Sequence, residues 1–241
     1  MDFQEFQAIF TQALSKNAIS LPSAQAQQTF YHFTAHLLAV NRTTNLTAIR
    51  DETDFIYKNL ADSLTVSAHI PQNATVLDLG CGPGFPSVPL AIARPDLKIT
   101  ALDSTAKKTA YVAESARLLS LDNLKTLTGR AEELAQDPEY REKFDCTVAR
   151  AVASLPILSE LCLPFVKIGG KMVAMKAKLD ESETTKAPST LGASPFERHE
   201  LMLRSPDTDQ TETRLILVAE KQKHTPKDYP RAYAQIKKKT L

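Results

Sequence analysis

Apolar residues recur every three to four positions in the first part of the chain, the spacing of amphipathic helices. This pattern runs through residues 2–16, from Ser23 to about Val40, and from about Glu52 to Ala68. Ser23 follows Leu-Pro and has the side chain of a helix N-cap. The pattern predicts three helices that form an N-terminal helical extension, residues 1–70.

After residue 70, short apolar runs of strand character alternate with helical patterns. The predicted strands are Thr75–Leu79, Leu97–Asp103, Leu124–Thr128, Phe144–Ala149 and Gly169–Lys176, followed by a hairpin of Glu200–Arg204 and Arg214–Glu220. The predicted helices between them are Pro86–Ala93, Thr105–Leu119 and Ser154–Val166, and residues 178–197 are expected to be a loop or short helix. This order predicts an α/β fold with a doubly wound, Rossmann-like, seven-stranded sheet whose last strand is antiparallel.

Three glycines at alternate positions follow the first predicted strand. Gly80, Gly82 and Gly84 lie between that strand and the next helical pattern. Glycine lets a backbone turn sharply and approach a ligand closely, because it has no Cβ. A strand, a glycine turn and a helix start therefore predict a cradle for a nucleotide cofactor.

The spacing of the glycines separates two cofactor classes. A dinucleotide fingerprint has its third glycine at the sixth position, where this chain has Phe85. Asp78, two residues before Gly80, fits S-adenosyl-L-methionine (SAM), since this cofactor has no phosphates and carries an amino group and a sulfonium. Asp103, nineteen residues after Gly84, ends the next predicted strand, where an acid accepts hydrogen bonds from ribose hydroxyls. SAM is the predicted cofactor.

The carboxyl ends of the later strands supply the remaining candidates, because ligands of such sheets bind at that edge. Ala131 and Glu132 follow the third strand, on the side expected for the adenine. Arg150 ends the fourth strand. Its guanidinium could pair with the cofactor carboxylate, with guanine O6, with a nucleic acid phosphate, or with a neighbouring acid in a structural ion pair.

Residue types near these strand ends restrict the methyl acceptor. The fourth strand continues as Arg150-Ala-Val-Ala-Ser, without the Asn/Asp-Pro-Pro-aromatic motif typical of enzymes that methylate exocyclic amines. Cys146 lies inside an apolar strand, which indicates a buried core thiol more than a nucleophile. An aromatic ring nitrogen needs neither this motif nor a nucleophilic cysteine. Carboxylates and small amines also remain possible methyl acceptors.

Composition and charge add a compartment and a partner. The three cysteines have no paired spacing, and His32 and His36 have no third candidate ligand nearby, so no metal site is predicted. Without a signal peptide pattern or a membrane-length apolar run, we expect a cytoplasmic protein and no membrane contact. The net charge is +1, yet residues 221–241 contain seven Lys or Arg and one acid. Such a basic tail indicates either a polyanionic partner or a merely solubilising segment.

Several longer motifs resemble one family over nearly the whole chain. They are Asn45-Leu-Thr-Ala-Ile-Arg-Asp51, Asp78-Leu-Gly-Cys-Gly-Pro-Gly-Phe-Pro86, Leu102-Asp-Ser104, Arg130-Ala-Glu-Glu133, Ala149-Arg-Ala-Val-Ala-Ser-Leu155 and Pro226-Lys-Asp-Tyr-Pro-Arg231. Together they resemble the ribosomal RNA small-subunit methyltransferase G family, once called glucose-inhibited division protein B. The chain departs from the family pattern at Asn59, where many relatives have His, at Ser87, where Gly is usual, and at 232–236, which lacks a Lys-x-Gly-Thr-Pro run.

The resemblance implies a class I SAM-dependent methyltransferase that methylates N7 of a guanine in the 530 loop of bacterial 16S rRNA. It implies that the cofactor is bound by Gly80, Phe85, Ala131, Glu132 and Arg150, with Asp103 and Ser104 beside the ribose. Gly82 and Gly84 are predicted to bind the cofactor as part of the same glycine turn. It also implies 16S rRNA or the 30S particle as partner.

We hypothesise that Arg150 also acts in catalysis by orienting cofactor or guanine, and that the N-terminal helices and basic tail hold the RNA. The expected organisation is a helical cap (1–70), a methyltransferase domain (71–220) and a basic tail (221–241), which together form one structural domain. The protein is expected to be a monomer. Two other functions stay open: a small-molecule methyltransferase of the same fold, and a SAM-binding ribosome-associated protein without turnover.

Overall fold

The computed structural model of the protein describes residues 1–150, 152–178 and 186–241. Its strands are β1 (Thr75–Leu79), β2 (Lys98–Asp103), β3 (Leu124–Thr128), β4 (Phe144–Arg150), β5 (Val166–Lys176), β6 (Glu197–Arg204) and β7 (Thr211–Glu220). The described strands form one sheet in the order β3-β2-β1-β4-β5-β7-β6, in which β7 is antiparallel to both of its neighbours. The α/β, doubly wound sheet with an antiparallel last strand is confirmed.

Helices cover both faces of this sheet. They are α1 (Phe3–Lys16), α2 (Ala24–Thr44), α3 (Glu52–Phe55), α4 (Asp62–Leu64), α5 (Ser87–Ala93), α6 (Ala106–Leu118), α7 (Ala131–Leu134), α8 (Leu155–Cys162), α9 (Ala187–Thr190) and α10 (Tyr233–Lys238). The apolar side chains of α1 to α6 form one buried cluster with one face of the sheet, and those of α7 to α10 form a second cluster on the other face. The alternation of apolar residues in β1 and β4 distributes their side chains between the two clusters.

The N-terminal helices are present as predicted, with two differences. α1 begins at a capping box, in which the Asp2 side chain accepts from the Glu5 N–H and the Glu5 side chain accepts from the Asp2 N–H. α2 begins at the predicted N-cap Ser23 but continues to Thr44, about four residues past the expected end, and stops where Asn45 adopts a left-handed conformation.

The third predicted helix is a composite. Between α3 and α4 the backbone forms a π-helix, Ile56–Ala61, in which the Asp62 N–H donates back to the Tyr57 carbonyl, and a 3-10 helix, Thr65–His69, follows α4. A π-turn is wider than an α-turn and occurs often at functional sites. Here it carries the residues that face the carboxyl end of β4.

Two further expectations concern connections and membranes. Of the predicted loop or short helix at 178–197, α9 is a short helix, and residues 179–185 lie outside the described residues. Within the described part of the chain, no helix combines the length and the apolar character that crossing a bilayer requires.

Candidate functional site

The glycine turn between β1 and α5 is tied to the end of β2. The Gly80 and Cys81 N–H groups donate to the Leu102 carbonyl (2.8 and 2.9 Å), and the Gly82 N–H donates to Asp103 Oδ2 (3.1 Å). All three glycines have positive φ angles, 75°, 55° and 102°, a region that glycine adopts more readily than residues with a Cβ. At these three positions the backbone of the turn is not covered by a side chain of its own.

Asp78 supports the turn from inside the protein. Its carboxylate is fully buried, and Oδ2 accepts a hydrogen bond from the Ser87 N–H at the start of α5 (3.0 Å). Burial raises the pKa of this carboxyl to about 7. Asp78 thus holds the turn and α5 together from below, and it does not present its carboxylate at the surface where the cofactor amino group was expected.

A first cavity, here called the β2–β3 cavity, has a volume of about 410 Å³. It is lined by five predicted residues, Gly80, Asp103, Ser104, Ala131 and Glu132. The structure thus brings together the residues predicted beside the ribose and the adenine.

Asp103 is the most constrained residue of this cavity. Its Oδ1 accepts from the Thr105 N–H (2.9 Å), while Oδ2 accepts from Gly82 and lies 3.4 Å from Lys108 Nζ. The side chain is largely buried, so its position is fixed by backbone donors on both sides. A carboxylate with this orientation can still accept hydrogen bonds, because each oxygen has two lone pairs.

A second cavity, the β4–β5 cavity, has a volume of about 830 Å³ and lies on the other side of the glycine turn. Gly80, Gly82, Phe85 and Arg150 line it. Other lining residues are mostly cationic side chains or belong to the connector before α3: Lys58, Lys108, Lys176, Lys178, Arg214 and Leu46, Thr47, Ala48 and Ile49. The two cavities share Gly80, Lys108 and Val152, so they form one continuous cleft across the carboxyl ends of the strands.

Neighbouring side chains explain why glycine is needed at Gly80 and at Gly84. A Cβ at Gly80 would lie 2.6 Å from Val152 Cγ2, and a Cβ at Gly84 would lie 2.6 Å from Val88 Cγ2. Gly80 therefore lies at the floor of the cleft, directly under Val152. Gly84 faces α5 instead, and it was predicted for the cofactor surface together with the other two.

Arg150 is bound by the N-terminal helical segment. Nη1 donates to the Lys58 carbonyl and to Asp62 Oδ2 (both 3.1 Å), and Nη2 donates to Asn59 Oδ1 (2.8 Å). The guanidinium carbon lies 5.1 Å from the centroid of the Phe85 ring. Of the alternatives for Arg150, the structural ion pair is thus present, although the guanidinium also lines the cleft.

Asp62 connects a second arginine to this cluster. Its Oδ1 accepts from Arg214 Nε on β7 (3.0 Å), and Arg214 Nη2 pairs with Glu212 (2.8 Å). Asp62 is almost fully buried between the two guanidinium groups, which compensate its charge. Arg214 was not predicted as a site residue, because a cation at an alternating position of a strand looks like an ordinary exposed residue.

Comparison with known proteins identifies the family to which this chain belongs. The model of the family described as GidB, rRNA small subunit methyltransferase G, matches residues 26–205. The chain is 40% identical over 239 residues to a "Ribosomal RNA small subunit methyltransferase G" of Leuconostoc citreum, covering 96% of this chain and 98% of the relative. The chain belongs to the rRNA small subunit methyltransferase G family.

Further relatives agree with this assignment. The family member of Brevibacillus brevis is 41% identical over 237 residues, covering 96% of this chain and 98% of the relative. A solved structure of M. jannaschii TYW2 in complex with AdoMet covers 68% of this chain and 76% of its own, with a TM-score of 0.52 and 15% identity. That last likeness concerns the fold alone, which is the class I methyltransferase fold that the sheet order indicates.

In this member of the methyltransferase G family, two cations of the basic tail bind acids within the folded protein. The sequence alone had indicated a tail that faces solvent or a polyanionic partner. Lys221 is fully buried, with Nζ 2.5 Å from Thr225 Oγ1 and 3.3 Å from Glu142 Oε1. Burial lowers the pKa of Lys221 to about 8. Arg231 binds the fully buried carboxylate of Glu160. Both cations are structural, because each compensates an acid of the folded core.

Neither a reactive cysteine nor a metal site was expected from the sequence. Cys146 is fully buried, and burial raises the pKa of its thiol to about 12, so it is not a thiolate at neutral pH. Among residues 1–150, 152–178 and 186–241, no group of three or more potential ligands is arranged to hold a metal ion.

Proposed function

We propose that this protein transfers the methyl group of SAM to N7 of a guanine in the 530 loop of 16S rRNA. Membership of the family makes the chain a methyltransferase with SAM as its cofactor. The observation that carries the proposal is the glycine turn at the junction of two cavities, because one side has room for a nucleoside and the other for an acceptor. A substrate in the small ribosomal subunit would make the protein cytoplasmic, and we propose that it acts as a monomer.

The residues of the β2–β3 cavity fit the nucleoside part of the cofactor. Asp103 would accept hydrogen bonds from the ribose hydroxyls, with Ser104 beside them, and Ala131 and Glu132 would contact the adenine. Gly80 and Gly82 would hold the methionine part, since a Cβ added at Gly82 would meet no atom within 4 Å and the backbone there is open to a ligand. Phe85 would form an apolar wall near the reacting centre.

The chemistry needs little from the protein besides alignment. When bound, SAM supplies an electrophilic methyl group on a sulfonium, which leaves as a neutral thioether. Guanine N7 has a free lone pair at neutral pH, so no general base or cysteine nucleophile has to act, in agreement with the buried Cys146. The cleft would align the guanine and exclude water.

Arg150 would position a ligand in the β4–β5 cavity. An arginine has five N–H donors, and three of them are engaged by Lys58, Asn59 and Asp62. The two that contact no described residue could reach guanine O6 or the cofactor carboxylate. The lysines that line the same cavity favour a substrate with phosphates.

Methyl transfer to rRNA is the direct test. Labelled SAM is supplied with rRNA from cells that lack this protein, both as naked RNA and as 30S particles, and the product is mapped. We expect 7-methylguanosine in the 530 loop. Label on small molecules but not on rRNA would support a small-molecule enzyme, and SAM binding without transfer to any acceptor would support a non-catalytic protein. Either result would overturn the proposal.

The role of Asp103 has its own test. Asp103→Ala should weaken SAM binding by about 1–3 kcal/mol, because it removes the acceptor for the ribose hydroxyls. Asp122→Ala is the matched control, since Asp122 is exposed and lies on the loop before β3, outside both cavities. Isothermal titration gives the dissociation constants, and an unchanged constant in the Asp103 variant would remove this residue from the site.

A further inference from the structure

An aromatic residue from the C-terminal helix α10 lines the β2–β3 cavity. Tyr233 faces the same cavity as Asp103, Ser104, Ala131 and Glu132. The sequence gives no signal for this position, because Tyr233 lies among basic and small residues in the segment where the chain departs from the pattern of its family. The C-terminal helix therefore adds an aromatic ring to a cavity whose other lining residues lie at the strand ends and on α6, α7 and α8.

The segment that carries Tyr233 is attached to the body of the protein. Arg141 donates to the Tyr229 and Thr225 carbonyls (2.9 and 3.0 Å), and Gln136 Nε2 donates to the Pro230 carbonyl (2.8 Å). These contacts precede α10 and fix the path of the chain into the helix.

Two further contacts lie on either side of Tyr233, one just before α10 and one within it. The Arg231 N–H and guanidinium bind the buried Glu160 with distances of 2.6 to 2.9 Å. Ile236, one turn after Tyr233, is fully buried in the apolar cluster beneath α8. Tyr233 thus occupies a defined position between two anchored residues, which is what a binding-site residue needs.

The ring has a cationic neighbour at the cavity. The Arg130 guanidinium carbon lies 5.4 Å from the centroid of Tyr233, and Arg130 Nε binds Glu132 Oε1 (2.6 Å). Tyr233, Arg130 and Glu132 are therefore linked along one wall. A ring, a planar guanidinium and a carboxylate acceptor are the groups that bind a purine base with an exocyclic amine.

We propose that Tyr233 contacts the adenine of the cofactor and that α10 is part of the cofactor site. This inference rests on the proposed function, which assigns the nucleoside of SAM to the β2–β3 cavity. It gives the C-terminal segment a role in cofactor affinity that is separate from any contact of its lysines with RNA.

The test measures the affinity for S-adenosylhomocysteine, the product of the cofactor, which contains the same nucleoside. We expect Tyr233→Ala and Tyr233→Leu to raise the dissociation constant about tenfold, the typical effect of removing one base–aromatic contact. Tyr233→Phe should bind within about twofold of the wild type, because the ring is kept. Gln235→Ala is the matched control, since Gln235 is exposed on the same helix and should bind as the wild type does.

Tyrosine fluorescence gives a second readout. The chain has six tyrosines and no tryptophan, so its intrinsic emission comes from tyrosine. Contact with adenine should quench Tyr233, and the decrease at saturating ligand should be smaller in Tyr233→Phe than in the wild type.

The possible results distinguish the role of Tyr233 from the proposed function of the protein. If the wild type binds S-adenosylhomocysteine and Tyr233→Leu binds it equally well, or if Tyr233→Phe is quenched as much as the wild type, the role of Tyr233 is overturned. If Tyr233→Leu weakens only the binding of a 16S rRNA fragment, the ring contacts RNA, which also overturns it. If the wild type does not bind the ligand at all, the proposed function fails first. Circular dichroism and the thermal midpoint establish that each variant is folded, and Tyr233→Leu keeps an apolar side chain in case Tyr233→Ala is not.

Discussion

The buried carboxyl of Asp78 should make the stability of this protein depend on pH in a way that Asp78→Asn removes. In the folded state Oδ2 accepts from the Ser87 N–H, and Oδ1 has no partner among the described residues. An asparagine of the same shape can keep the first contact with its oxygen and place its amide nitrogen at the second position. The substitution therefore changes the charge with little change in packing.

The magnitude follows from the two pKa values. Burial raises the pKa of Asp78 from 3.8 to about 7. Between these values the folded protein retains a proton that the unfolded chain has lost, so the free energy of unfolding of the wild type falls as the pH rises through this window. Each unit of difference between the two pKa values corresponds to about 1.4 kcal/mol, so the whole contribution is about 4 kcal/mol as an upper bound.

Urea unfolding of both proteins at pH 5, 6, 7 and 8 measures this contribution. The difference in unfolding free energy, variant minus wild type, should increase by up to about 1.4 kcal/mol per pH unit and level off above about pH 7. Other titrating groups cancel in this difference, and Asp122→Asn, on an exposed loop, should give a constant difference. A difference between Asp78→Asn and wild type that stays constant with pH would refute the reasoning.

Two further substitutions test the turn and the anchor of the C-terminal segment. Gly84→Ala should destabilise the protein more than Gly82→Ala in urea unfolding: both lose about 1–2 kcal/mol to the left-handed backbone, but only the Cβ at Gly84 would meet another side chain, that of Val88. Equal losses would argue against this clash. Arg231→Gln should cost about 3–5 kcal/mol, because it leaves the buried Glu160 carboxylate without its cation. Part of the loss should return when Glu160→Gln is added, and a double variant no more stable than Arg231→Gln would contradict the pairing.

Much of the fold could be predicted from local patterns. Ser23 marks the start of α2 because a side-chain cap is a local property, and the alternation of strands and helices after residue 70 determines the doubly wound sheet. The predicted end of α2 was about four residues too early. A helix often ends at a residue in the left-handed conformation, here Asn45, and the sequence does not show which residue adopts it. The π-helix between α3 and α4 has no known signal in one sequence.

The lining of the candidate cleft could be predicted where it follows from strand ends, but not where it follows from packing. Gly80, Asp103 and Glu132 line the cleft because the carboxyl ends of parallel strands meet at one edge. Tyr233 reaches the same cleft through a chain path that depends on distant contacts. Lys221 looked like part of a solvated basic tail, whereas its burial depends on an acid about eighty residues earlier in the chain.

The π-helix Ile56–Ala61 places a constraint on the length of this segment. An α-helix rotates by about 100° per residue, so the loss of one residue here would turn the preceding helices by about that angle relative to Asp62. The Lys58 carbonyl and Asn59 would then leave Arg150, and the wall of the β4–β5 cavity would lose its contact with β4. A substitution in this segment changes one side chain, but a deletion changes the register of the whole cap. Insertions and deletions should therefore be tolerated less here than in the connector that follows α2.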